Sequence, residues 1–136
     1  MISKFLILFV VATFAVAKDF TKVDLDKEIS IDLRVTCHQP YQFTNNAHVW
    51  VMEADDSILG FDRDDVILNV KLLGTPVGKG GRYEESILTI KFGPLSDNLF
   101  GKHAEVYLKF TDVCQQGHTE RFGNIFQKDF DLTPKF

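Results

Sequence analysis

The sequence has 136 residues, a formal net charge of −4 and a hydrophobic fraction of 45%, which is the balance of a soluble globular protein. The negative charge argues against a nucleic-acid-binding protein, because neutralising phosphates requires a clustered excess of basic side chains. The chain contains 13 phenylalanines, enough to supply a core, and only two cysteines, too few for a disulfide-rich scaffold or a multi-cysteine zinc site. The length fits one domain.

The first residues have the pattern of a secretory signal peptide. Lys4 precedes an apolar run from Phe5 to Phe14, and Ala15-Val16-Ala17 then gives the small-x-small pattern of a cleavage site. A transmembrane anchor is the alternative, but the apolar stretch falls short of the roughly 20 residues that cross a bilayer. We therefore expect cleavage after Ala17 and a secreted domain over 18–136. Losing Lys4 takes the net charge from −4 to −5.

The rest of the chain predicts strands, because apolar residues recur with a period of two over short segments bounded by turn residues. Asp24–Glu28 is polar and is predicted to be part of a solvated N-terminus of the mature chain, while Thr75–Gly81 is predicted to be a turn. Leu95–Phe100 is the one short helical turn expected. The predicted strands are Ile31–Cys37, His48–Ala54, Val66–Leu73, Arg82–Phe92, Ala104–Phe110 and a less regular segment, Glu120–Phe130. The sequence thus predicts an all-β sandwich or barrel.

The two cysteines are predicted to form a disulfide between sheets. Cys37 continues the inward phase of its strand, and counting in steps of two from Leu108 and Phe110 reaches Cys114 on the inward phase. In an exported protein such a pair indicates a structural bond. The alternative, a catalytic thiol or metal ligand, requires a nearby base, and His38 is predicted to point to the opposite face from Cys37.

Residues that commonly carry chemistry form no recognisable site. No pair of histidines has metal-ligand spacing, and no Ser-His-Asp pattern occurs. We therefore predict no catalytic residue, cofactor or metal ligand, and no enzyme activity. Asp55–Asp65 contains five carboxylates and is the best calcium candidate, but it lacks the EF-hand order, so a solvated acidic loop is preferred. The four histidines are His38, His48, His103 and His118.

The order Cys37, Trp50, Cys114 resembles the immunoglobulin pattern, although Asp112 stands where that fold places a tyrosine. More of the chain resembles the secreted transthyretin-like family, which is best known from nematodes. The resemblance covers about residues 31–130. The segments that carry it are Leu33-x-Val35-x-Cys37, Val49–Asp55, Asp64-Asp65 followed by Val66–Leu68, Gly81-Arg82-Tyr83-Glu84, Val106–Cys114 and Arg121–Phe126.

This resemblance implies a transthyretin-type β-sandwich of about seven strands. It also implies a non-enzymatic extracellular binding or adaptor protein, with phosphatidylserine or a cell-surface receptor as the expected partner. The related hydroxyisourate hydrolases end in Tyr-Arg-Gly-Ser, whereas this chain ends in Leu132–Phe136, so that activity is not expected. An immunoglobulin-like recognition module and a small-molecule carrier are the alternatives.

Recognition of phosphatidylserine would require a cluster of basic side chains despite the negative total charge. The candidate members are Lys79, Arg82, Lys102 and Lys109.

Overall fold

The computed structural model describes residues 19–24, 26–54, 64–95 and 103–135, and within these ranges it contains strands and no helix. None of the described residues belongs to a helix that could span a membrane. The strands are β1 (Thr21–Asp24), β2 (Ile29–His38), β3 (His48–Glu53), β4 (Asp65–Lys71), β5 (Thr75–Val77), β6 (Tyr83–Phe92), β7 (His103–Thr111), β8 (Thr119–Phe122) and β9 (Asp129–Asp131).

The strands form two sheets. The front sheet has the order β1-β7-β3-β4, and β8 also pairs with β7. The pairing registers place β1 and β8 end to end along the edge of β7 that faces away from β3. The back sheet has the order β5-β6-β2-β9, with β9 parallel to β2 and the other pairs antiparallel. The core therefore lies between the inward faces of two sheets.

The core follows the alternation that predicted the strands. Ile31, Leu33, Val35 and Cys37 are all buried, while the residues between them are half-buried or exposed. Rings also meet across the two sheets: the Phe110 centroid lies 5.0 Å from that of Phe130. The largest fully buried side chains are Phe110, Phe130, Ile31, Leu33, Leu72, Leu108, Ile125, Leu132, Val35, Val49, Val51 and Val106.

The predicted disulfide is confirmed. Cys37 on β2 is bonded to Cys114, with a Cα–Cα distance of 5.5 Å, and both residues lie in the core. Cys114 does not continue strand β7, however, which ends at Thr111. Asp112 has a φ of 55°, and this left-handed residue turns the chain so that the adjacent Val113 and Cys114 are both buried. The bond thus joins the back sheet to the turn that leaves the front sheet.

Three short strands were not predicted from the sequence. No strand was predicted over Thr21–Val23, and β1 ends at Asp24, where the expected polar segment Asp24–Glu28 begins. β5 lies within the expected turn Thr75–Gly81, and the expected strand Glu120–Phe130 is divided into β8 and β9. A turn causes that division, because the Asn124 side-chain oxygen accepts from the Phe126 N–H and its carbonyl accepts from the Gln127 N–H. The described part of the fold therefore has nine strands rather than about seven.

Two further predictions lie outside the described residues. The signal peptide with its cleavage site after Ala17 is one of them. The other is the helical turn Leu95–Phe100, of which only Leu95 is described, without regular structure.

Candidate binding face

Cross-strand register places two rows of side chains on the outward face of the front sheet. Opposed residues of neighbouring strands share a face, so each row runs across β4, β3, β7 and β8. The first row is Asn69, Trp50, Lys109 and Arg121. The second is Lys71, His48, Thr111 and Thr119.

Trp50 lies at the centre of this face and is held in place by neighbours from both rows. Its indole Nε1 donates to the Thr111 hydroxyl at 2.8 Å. The Lys109 ammonium lies 5.4 Å from the indole centroid, and the His48 ring lies 6.0 Å from it. A cation over an aromatic ring is attracted by the ring quadrupole. Trp50 is only partly buried, so part of this residue is exposed on the outward face.

Arg121 occupies the end of the first row. Its guanidinium carbon lies 3.7 Å from the centroid of the Tyr107 ring, and its Nη2 donates to the Asp19 carbonyl at 3.3 Å. Tyr107 in turn donates its hydroxyl to the Asp64 carboxylate. Burial of Tyr107, the hydrogen bond to Asp64 and the Asp64 charge, opposed by Arg121, raise the tyrosine pKa to about 12. These contacts fix the orientation of Arg121 on the face.

The burial of Tyr107 and its contact with Asp64 predict that this tyrosine ionises at unusually high pH. In a spectrophotometric titration of tyrosinate, Tyr107 is expected to ionise with a pKa of about 12, raised from its usual 10. D64N should lower that pKa, whereas D65N, next to it and exposed, should leave it unchanged. Because the folded pKa exceeds the unfolded one, the stability from this group is lost as pH rises from 10 through 12. A wild-type titration in which no tyrosine ionises near pH 12 would contradict this assignment.

The two outward faces of the sandwich differ in charge. The two rows of the front sheet hold three basic residues, Lys71, Lys109 and Arg121, and no carboxylate, while the β1 end of the same outward phase carries Lys22, Asp24 and Glu105. We call this surface, with Trp50 and His48, the basic face. The back sheet presents more acidic than basic residues outward: Asp32, Glu85, Asp129 and Asp131 against Arg34 and Lys91. Arg34 is already paired, 2.8 Å from Asp129. Basic charge is thus concentrated on the part of the front sheet that the two rows cover, in a net acidic protein.

The basic cluster predicted from the sequence is not assembled as expected. Lys109 lies on the basic face. Lys79 and Arg82 instead lie in the connection between β5 and β6, which belong to the other sheet. Lys102 lies outside the described residues. Lys71 and Arg121 were missed because only strand register brings them beside Lys109, and the sequence alone does not give register.

The other candidate residues are distributed over the surface. His38 lies 3.7 Å from Asp131, and His118 lies 3.1 Å from Glu120. His48 contacts the Asn46 carbonyl at 2.8 Å through Nδ1. Within the described ranges no three histidine, cysteine or carboxylate side chains are grouped so that they could hold a metal ion.

Most of the calcium candidate Asp55–Asp65 lies outside the described residues, which resume at Asp64. His103 begins β7.

No protein-family model, no curated protein and no solved structure matches this chain. The fold therefore defines the class: the protein is an all-β chain whose described part folds into two sheets joined through one disulfide.

Proposed function

We propose that the protein is a secreted, non-enzymatic binding protein of the transthyretin-like type, and that its basic face recognises phosphatidylserine on membranes. The observation that carries the proposal is the concentration of Lys71, Lys109 and Arg121 around Trp50 on a face whose two rows lack carboxylates, in a chain with a net charge of −4. Such a charge distribution attracts anionic surfaces although the whole protein is acidic.

The physical chemistry of the face suits a lipid headgroup. Each basic side chain near an anionic leaflet contributes about 1 kcal/mol, so three of them give a preference on the order of 100-fold over neutral lipid. Tryptophan favours the membrane–water boundary, where one part of the indole is apolar and its N–H is hydrogen-bonded. A sheet also presents its outward side chains on one broad surface, which allows several of them to contact a bilayer together.

Strand order distinguishes this chain from an immunoglobulin-like module. In an immunoglobulin domain the strand before the first cysteine strand lies beside it in the same sheet. Here the preceding strand β1 pairs with β7 in the front sheet. The place beside β2 is taken by the last strand, β9, in parallel orientation. The transthyretin-type part of the proposal rests on the family resemblance of about residues 31–130.

Vesicle binding tests the proposal directly. Trp50 is the one tryptophan of the chain, so its fluorescence reports on the basic face alongside co-sedimentation. We expect phosphatidylcholine vesicles containing about 30% phosphatidylserine to bind about 100-fold more tightly than pure phosphatidylcholine, with and without calcium. The binding should weaken in high salt, because salt screens surface charge.

Matched lysine variants locate the contact. K109Q and K71Q are each expected to weaken binding to phosphatidylserine vesicles by about fivefold, which corresponds to about 1 kcal/mol. K79Q removes the same charge from the β5–β6 turn of the back sheet and should leave binding unchanged. Equal binding to neutral and anionic vesicles, or an equal loss in K79Q, would overturn the proposal.

A further inference from the structure

A groove lies at the open side of the sandwich, where β8 forms an edge of the front sheet and β9 forms an edge of the back sheet. Its volume is about 470 Å³, within the range of pockets that take a side chain or small ligand. We call it the edge groove. Its lining residues are His118, Glu120, Phe122, Gln127, Asp131 and Lys135.

An aromatic ring and a carboxylate from the same strand line one side. Glu120 is opposed to Phe110 and Phe122 to Leu108, so both side chains take the inward phase of β8, at its open edge. Phe122 is fixed by edge-to-face contacts with Phe110 and Phe130, whose centroids lie 5.6 Å and 4.9 Å away. Glu120 is about one-third exposed, and its Oε1 lies 3.1 Å from the His118 Nε2.

A second carboxylate lies on the β9 side. Asp131 Oδ1 accepts from the Thr133 backbone N–H at 3.0 Å, and its other oxygen lies 3.7 Å from His38. Burial alone would raise the pKa of Asp131, but the Thr133 hydrogen bonds, with His38 and Lys135, hold it below its usual value. Asp131 is therefore ionised at neutral pH. The lining of the groove thus holds two carboxylates, one lysine and one histidine.

We propose that the edge groove binds an arginine side chain carried by a partner protein. A guanidinium group stacks on an aromatic ring through its flat face and donates hydrogen bonds to carboxylates from its edge. The groove offers both partners, since Phe122 and Glu120 line it from β8 and Asp131 lines it from β9. This site lies at the edge of the sandwich, and the inference does not require lipid binding by the basic face.

A structural role for Glu120 is the competing explanation, because an inward-pointing charge at a sheet edge discourages pairing with another chain. The two roles differ in their consequences. If Glu120 only prevents edge-to-edge pairing, its replacement would change self-association and leave peptide binding unchanged. If Glu120 binds the guanidinium group, its replacement would lower the affinity for arginine.

Nuclear magnetic resonance titration of the folded, disulfide-bonded protein decides between them. The probe is the blocked peptide acetyl-Gly-Arg-Gly-amide, and its citrulline counterpart keeps the shape but lacks the charge. We expect saturable amide shifts in 118–135, with a dissociation constant on the order of 1 mM, and at least tenfold weaker binding of citrulline.

Two carboxylate-to-amide variants complete the test. E120Q should weaken binding of the arginine peptide by fivefold or more, and its spectrum reports whether it is folded. D129N, on the same strand as Asp131 but paired with Arg34 outside the groove, should bind like the wild type. The absence of saturation at about 20 mM, equal binding of citrulline, or unchanged binding in E120Q would each overturn the inference. Vesicle binding is unaffected in any of these cases.

Discussion

Replacing Cys37 and Cys114 together by alanine is expected to lower the free energy of unfolding by about 3–5 kcal/mol. The two cysteines are 77 residues apart, so the bond removes a large loop from the conformations open to the unfolded chain. In the chain-entropy model a loop of this length corresponds to about 4.5 kcal/mol. That is a large share of the roughly 5–15 kcal/mol that stabilises an ordinary domain. Urea unfolding of both proteins measures the difference.

Reducing agent provides the matched control. The wild-type protein with its bond reduced should unfold at nearly the urea concentration of the C37A/C114A variant, because neither then has a cross-link. The variant itself should not respond to the reducing agent, since the described residues contain no further cysteine and the sequence has only two. A loss below about 1 kcal/mol would contradict a stabilising role for the bond.

Phe110→Ala is expected to destabilise the protein by about 3–5 kcal/mol, the usual cost of removing a fully buried aromatic ring. Phe110 is 0% exposed, and its ring contacts those of Phe122 and Phe130. Phe126→Ala makes the same chemical change at a ring that is 55% exposed, so it should cost less than about 0.5 kcal/mol. Urea unfolding of the two variants compares the sites.

A double-mutant cycle checks the contact between the sheets. F110A and F130A should not be additive, because their centroids are 5.0 Å apart and each single variant leaves a cavity beside the other ring. F110A combined with F126A is expected to be additive. Equal losses in F110A and F126A would mean that the core is not where the burial of Phe110 places it.

Four of the five longer strands were predictable because each has enough residues to show the period of two, and β3 was predictable from its bulky and β-branched residues. β2, β3, β4, β6 and β7 begin and end within two residues of the predicted segments. Their alternation also identifies inward positions such as Leu33 and Leu108, and from these the disulfide. The alternation of apolar and polar residues was sufficient to predict a strand wherever the strand was long and one of its faces was exposed to solvent.

The short strands could not be predicted for the same reason. β1, β5 and β9 have three or four residues, so no periodicity can be read from them, and each exists because a longer strand offers it hydrogen-bond partners. Cys114 reached the predicted inward position by a different route, through the turn at Asp112. Tertiary pairing determines these features.

The candidate site was only partly predictable. Lys109 was identified, but its neighbours on the face come from positions far along the chain, such as Lys71 and Arg121. The edge groove was not foreseen at all, because it exists only where β8 and β9 are brought together. A single sequence contains the charged residues, but their grouping depends on which strands become neighbours.

The pairing of strands that are distant in the chain has a consequence for how the protein folds. β1 pairs with β7, and β2 pairs with β9, so each sheet joins residues from opposite ends of the described chain. Proteins dominated by such high-contact-order pairings reach the native state in milliseconds to seconds rather than microseconds. We therefore expect slow folding, during which unpaired strand edges are exposed to other chains.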